Sequence, residues 1–265
     1  MRLGLKLPSA LPSVVMSSSL LLEARLRAEN TGLNLFGLVD AERFDAWQPL
    51  EQRTTSIRPD CGTVIVLGSG GRATAWSPSE QPQAVVPFER AAAQELAELL
   101  HCRSVRCRLI EPGAGQRLNF VRLAEAAGFG TVSPVSGLLL HPEYGPWVRV
   151  SAALLLDGRP FGPVADASIT DRFQPCCSCA KPCVTACPAS VHDGLGNQDL
   201  ARCAEHRHLG GCASGCGSRR ACPIGAEHRD HIGPDAHRYT HGILTTQRAF
   251  GGVWRFVPRF LRGMR

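Results

Sequence analysis

Nine of the twelve cysteines in this chain fall between Pro175 and Pro223. The first run reads P-C-C-S-C-A-K-P-C-V-T-A-C-P, ending at Pro188, and is answered by Cys203, Cys212, Cys216 and a second Cys-Pro pair, Cys222-Pro223. Thiolates held a few residues apart on a turning backbone can wrap one soft metal centre. A proline straight after the last cysteine of each set stops the local structure and turns the chain away.

The spacing narrows the chemistry. Two-cluster iron–sulfur proteins of the bacterial type carry C-x2-C-x2-C-x3-C-P, and the fourth cysteine ligates the other cluster. Cys176, Cys179, Cys183 and Cys187-Pro188 follow that order, with one extra residue between the second and third ligands. The crossed rule assigns Cys176, Cys179, Cys183 and Cys222 to a first cluster, and Cys187, Cys203, Cys212 and Cys216 to a second. Cys177 is spare, because Cys176 stands two residues clear of Cys179. The expectation is two [4Fe–4S] clusters. Zinc competes, since Cys203 and His206 are three apart and further histidines follow at His208, His228 and His231. Structural zinc needs only four ligands in short pairs, and eight cysteines with two Cys-Pro stops exceed that. A disulfide framework would require export to an oxidising compartment, and the first residues form no convincing export signal.

These ligands must sit on a folded scaffold. At 265 residues the chain has room for one large domain or two ordinary ones. Hydrophobic content of 44% with 20% charged residues argues against disorder as the default. The net charge of +6 suits an acidic protein partner or a nucleic acid and selects neither. No stretch is long and apolar enough to read as a membrane span, and reduced cysteines imply a cytoplasmic address. Residues 1–16 read as a disordered leader, with Ser17-Ser18-Ser19 as the N-cap of a helix that Glu29-Asn30-Thr31-Gly32 stops.

Further elements follow in order. Leu33 to Val39 reads as a strand, and Asp40 as the cap of a helix extending to Trp47. Thr63 to Leu67 is a β-branched run that reads as a buried strand. Gly68-Ser69-Gly70-Gly71-Arg72-Ala73 fits a dinucleotide fingerprint, but Pro78 and Pro82 oppose the helix this requires, so a glycine turn is expected. Those glycines would let a flat cofactor approach the backbone. Phe88 to Leu100 reads as an amphipathic helix with Glu89, Arg90, Glu95 and Glu98 outward. Ser104 to Ile110 alternates as a strand, and Leu118 to Ala127 is helical. Leu138 to Leu140 and Trp147 to Leu156 are strands joined by a proline-bounded turn containing His141 and Tyr144. Gly158 to Pro163 marks a change of composition, placing a boundary between an α/β layered domain over 17–163 and a cluster module over 164–232. A basic aromatic tail, 233–265, follows. It interleaves Arg248, Arg255, Arg259, Arg262 and Arg265 with Phe250, Trp254, Phe256 and Phe260, and is either packed onto the core or a docking element for an acidic partner. Cys61, Cys102 and Cys107 are given no chemistry.

Leu123-Ala-Glu-Ala-Ala-Gly-Phe-Gly130, then Leu138-Leu-Leu-His-Pro-Glu-Tyr-Gly-Pro-Trp147, then the two cysteine sets form an order of parts that resembles epoxyqueuosine reductase and the reductive dehalogenases. The resemblance implies an α+β fold: a nitroreductase-like, cobalamin-binding domain joined to a ferredoxin-like dicluster module. Four departures accompany it, one being the looser spacing of the second set, x3 between Cys212 and Cys216 and then x5 to Cys222. The position of the family's acidic proton donor falls on Ala114, with Glu111 the nearest carboxylate. Ser133-Pro134-Val135 replaces a Gly-Lys-Asn. Only a short stretch follows Cys222, so the tRNA-gripping repeat domain, and with it a tRNA substrate, is not expected. The function expected first is one-electron relay to a redox protein partner, or the electron-entry part of a reductase, because a four-thiolate cubane leaves no open position for substrate. The alternative is a self-contained reductase holding cobalamin or a flavin in the α/β half, with Gly68, Gly70, His141, Tyr144 and Trp147 as cofactor contacts. A third is a non-redox protein stapled by its clusters.

Overall fold

Strand β2, Cys61–Gly70, is apolar along nearly its whole length because it is covered on both faces. It lies inside a four-stranded sheet of order β1-β2-β6-β3, where β1 is Leu35–Asp40, β3 is Cys107–Ile110 and β6 is Val148–Asp157. All three pairings are antiparallel. In this computed structural model, residues 13–71, 85–112, 118–212 and 215–229 are described. Most of the leader, Ala114 and the basic aromatic tail lie outside the described residues.

The two-residue alternation of strands sorts the side chains into two cores. Phe36, Ile65, Leu67, Leu154 and Leu156 face the helices α1, Ser13–Asn30, and α4, Val85–Cys102. Val39, Val64, Val66, Ala153 and Leu155 face α2, Ala41–Asp45, and α5, Phe120–Ala126. Helices therefore cover both faces of one sheet. Each fully buried leucine of the Leu154–Leu156 run contributes about 1.5–3 kcal/mol relative to exposure. A short helix α3, Thr54–Ile57, precedes β2, and its Thr54 caps onto the buried carboxylate of Asp45 at 2.7 Å.

Local signals explain the ends of the elements. Asp40 accepts from the Arg43 N–H and caps α2, which closes at Asp45, short of Trp47. α1 stops in a left-handed turn at Gly32 (φ +81°), with the Leu33 N–H reaching Ala28 O at 2.9 Å and the Gly32 N–H reaching Glu29 O at 3.0 Å.

Three expectations are corrected. α1 begins at Ser13, so Ser17–Ser19 lie within the helix and residues 13–16 are helical rather than disordered. Gly68 to Gly70 is not a turn: β2 continues through it beside β6, with a register shift after Leu67. Glu89 does not face outward. It is 8% exposed, pairs with Arg149 at 3.1 Å and accepts from the Ser69 hydroxyl at 3.2 Å.

Between α5 and β6 the chain forms a small hairpin of β4, Thr131–Val132, and β5, Leu139–Leu140. Beyond β6 the described residues carry three short α-helices: α6, Pro182–Thr185; α7, Leu200–His208; and α8, Gly217–Ala221. Each of α6 and α8 leads into a Cys-Pro pair, and the two pack together. A Cβ on Gly217 would lie 2.3 Å from Ala186 O.

Candidate metal centre

The paired helices α6 and α8 exchange the ends of the two cysteine sets. Cys183 lies in α6, Cys216 caps the start of α8, and Cys222 closes it. Two groups of thiols result. Burial pushes the Cys183 thiol up, and Cys176, Cys222 and Cys179 push it further. Burial also raises Cys222, with the same neighbours Cys176 and Cys179 adding to it. In the other group Cys203 is pushed up to about 11, first by burial, with Cys216, Cys187 and Cys212 adding their charge and Arg207 opposing it. The Cys183, Cys203 and Cys222 thiols, raised in this way, stay protonated at neutral pH when free. A cationic centre would reverse that preference, since coordination deprotonates a thiol outright.

Hydrogen bonds reach several of the sulfurs. The Lys181 N–H, on a left-handed residue (φ +56°), points to Cys179 Sγ at 3.4 Å. The Val191 N–H points to Cys187 Sγ at 3.5 Å. Cys177 is exposed and its thiol lies against Gln174 Oε1 at 3.5 Å. Among the described residues no three His, Cys, Asp or Glu side chains converge tightly enough to hold a single ion.

The first thiol group lines a cavity. Cys176, Cys179, Cys183 and Cys222 share it with Val135, Leu138 and Leu140 of the β4–β5 hairpin segment. Ser218 of α8 lines it too, and is 1% exposed with no hydrogen-bond partner for its hydroxyl among the described residues. An unsatisfied buried hydroxyl costs about 1–3 kcal/mol. A sulfur-rich cluster, which accepts hydrogen bonds, fits both the four thiols and that orphan donor.

Of the five residues expected to touch a cofactor, Gly70, His141, Tyr144 and Trp147 lie on the seam between the sheet and the cysteine segment, whereas Gly68 lies against Arg149 and Phe129. Gly68 and Gly70 are in β2. A Cβ on Gly68 would meet Arg149 O at 2.4 Å, and one on Gly70 would meet the Tyr144 ring at 2.1 Å. Tyr144 stacks on His141 at 4.5 Å between ring centroids and meets His228 edge-on at 5.0 Å. His141 Nδ1 accepts from the Glu143 and Tyr144 N–H groups at 3.1 and 3.2 Å, and burial holds its pKa below the usual value. It is a neutral acceptor that fixes its turn. Trp147 is 1% exposed, beneath the Arg219 guanidinium at 4.7 Å. Arg219 also donates to Pro146 O at 3.0 Å. The structure thus brings Gly70, His141, Tyr144 and Trp147 together but not Gly68, with the protein's own ring filling the notch at Gly70.

Sequence reasoning missed Ser133 and Ser218 as members of the site. Ser133 drew notice only as part of a departure from a family motif, and Ser218 carries no spacing signal at all.

A sheet covered by helices on both faces, joined to a cysteine-rich segment that gathers its thiols in two groups, defines the class. The chain shares the fold of epoxyqueuosine reductase and the reductive dehalogenases over most of its length. Epoxyqueuosine reductase from Bacillus subtilis matches with a TM-score of 0.59 at 18% identity, over 83% of this chain and 69% of that one. An epoxyqueuosine reductase solved with a tRNA-Tyr stem loop matches with a TM-score of 0.60 at 19% identity, over 83% and 69%. A reductive dehalogenase described as B12-dependent matches with a TM-score of 0.54 at 18% identity, over 86% of this chain and 36% of that one. No protein-family model matches the chain, and neither does any curated protein.

Proposed function

We propose that this chain is an iron–sulfur protein of the reductase type, the electron-entry component that passes single electrons to a redox partner. Cys176, Cys179, Cys183 and Cys222 would hold one [4Fe–4S] cluster, and Cys187, Cys203, Cys212 and Cys216 the second. The observation that carries this reading is the exchange of Cys222 and Cys187 between the two sequence sets, with the orphaned Ser218 hydroxyl in the first thiol cavity. Such clusters supply one-electron relay at potentials set by hydrogen bonds, burial and charge. The chain's own part is to hold the sulfurs, exclude water with Val135, Leu138 and Leu140, and present N–H donors from Lys181 and Val191.

Packing supports the same reading. Between residues 175 and 229 the buried apolar side chains among those described are Ala189, Val191, Ala201 and Ala204. So few small residues do not make a core, and a segment of this kind needs a metal to fold. We take 17–163 and 164–232 as the two functional units on this ground.

A second reading, a reductase holding cobalamin or a flavin in its own α/β half, draws on the fold shared with the B12-dependent dehalogenase. The filled notch at Gly70 and the buried Trp147 favour the first.

Protein purified without oxygen decides between them. The first reading expects about eight irons and eight sulfides per chain, as two cubanes require, with no cobalt or flavin. Stoichiometric cobalt or flavin would establish the second. A single zinc with negligible sulfide would sink both.

A further inference from the structure

Ser133 sits between β4 and β5, in the α/β half, and is 2% exposed. Its hydroxyl lies 3.3 Å from Cys176 Sγ, a contact in which either atom could donate. The rest of its surroundings settles the direction. Ser133 Oγ accepts from the Val135 N–H at 3.2 Å and from the Ser136 N–H at 3.0 Å. A hydroxyl has two acceptor positions and one proton, so both acceptor positions are filled and the proton is left for Cys176. A ligating thiolate has no proton of its own to return. The backbone holds this geometry rigidly: the Ser133 N–H donates to Leu138 O at 2.8 Å, and the Gly137 N–H donates to Ser133 O at 2.9 Å. On the far side of the sequence, Ser218 brings a second buried hydroxyl to the same cavity.

We propose that Ser133 and Ser218 donate hydrogen bonds to the cluster held by Cys176, Cys179, Cys183 and Cys222 and raise its reduction potential. The inference rests on the two-cluster reading above. Reduction adds negative charge to the cluster, and a donor favours the more negative form. Because Ser133 belongs to the α/β half, the driving force for electron transfer through this cluster is set in part from outside the cysteine segment. Both serines act through the cluster, so they are positioning residues.

Redox titration of the full-length protein, followed by EPR without oxygen, tests this on wild type, Ser133→Ala, Ser133→Thr and Ser218→Ala. Each alanine variant should shift the reduction equilibrium of the first cluster about tenfold towards the oxidised form, about 59 mV for one electron. The second cluster should not move, and Ser133→Thr, which keeps the hydroxyl, should titrate near wild type. Transfer into D2O should move the iron–sulfur stretching bands of the first cluster in wild type and less in the alanine variants. Ser133→Ala also frees two backbone N–H groups and can lose the cluster for that reason. Ser218→Ala, whose hydroxyl accepts nothing among the described residues, then decides the matter together with Ser133→Thr. Both clusters present with unmoved potentials would overturn the inference. Wild-type protein without iron and sulfide would instead overturn the two-cluster reading, and the inference with it.

Discussion

Cys187 and Cys177 differ in what the chain does with them, although both belong to the same run of sequence. Cys187 leaves α6 at a Cys-Pro stop and joins Cys203, with its sulfur receiving the Val191 N–H. Cys187→Ser should therefore remove the second cluster and spare the first, lowering iron from about eight to about four per chain. Loss of the EPR signal of the cluster bound by Cys176, Cys179 and Cys183 would contradict the exchange. Cys177 is exposed beside Gln174. Cys177→Ala should keep both clusters whereas Cys176→Ala should lose one, as iron analysis of the two variants will show; the reverse pair of results would place the chain in another register. Cysteines of this kind can be read from sequence because a ligand set depends on residue type and spacing. Ser133 and Ser218 cannot, because a hydroxyl near a sulfur is a product of tertiary placement and serine is common everywhere.

At the level of elements, the same contrast separates the buried strands from the polar groups among them. Thr63 to Leu67 is legible because a strand covered on both faces must be apolar throughout. Its continuation through Gly68-Ser69-Gly70 is not, since glycine ordinarily signals a turn and only the tertiary neighbours supply another use. Gly70 leaves room for the Tyr144 ring, and Asn34 holds its backbone by accepting from the Gly70 N–H at 2.8 Å and donating to Gly70 O at 3.2 Å. Gly70→Ala should cost about 1–3 kcal/mol in a denaturant titration, the usual cost of overpacking; an unchanged midpoint would show that Tyr144 moves freely. Glu89 was misplaced by the helical pattern because its partner Arg149 lies on β6, far away in sequence. A third polar tie closes the end of β6. Asp157 meets Arg58 and, at 2.9 Å, Arg106. The Arg58 hydrogen bond, ahead of the charges of Arg58 and Arg106, holds the Asp157 carboxyl below its ordinary value. A lowered folded-state pKa stabilises the fold above the unfolded-state value near 4, and this stabilisation is lost as pH falls through the folded value. Stability measured against pH should thus lose a contribution of about 0.2–1 kcal/mol on the acid side, the range of screened pairs. Asp157→Asn should flatten that part of the profile. An acid limb identical in the variant would assign the loss to other carboxylates.

Across the whole molecule, the two halves are stabilised by different means. Among the described residues, the buried members of the two apolar cores of the α/β half lie between residues 20 and 156. The cysteine segment has few buried apolar side chains among the described residues, and it leans on the first half along a seam of close backbone contacts. A Cβ on Gly145 would lie 1.9 Å from Ile224 O, and one on Gly225 would lie 2.3 Å from Tyr144 C. Arg219 bonds to Pro146 and covers Trp147. This close approach of backbones is why glycine stands on both sides, a point that composition does not reveal. Removing iron should then unfold one half and leave the other. Under anaerobic, reducing chelation, amide hydrogen exchange across 175–229 should rise towards that of an unfolded chain, with partial loss of protection at 141–147, where the seam is released. Strands β2 and β6 should stay protected, because neither core depends on the cysteine segment. If 175–229 keeps its protection without iron, its fold does not depend on metal and the packing argument for clusters fails. If β2 and β6 lose protection as well, the halves form one cooperative unit, and the cores of the first half are not self-sufficient.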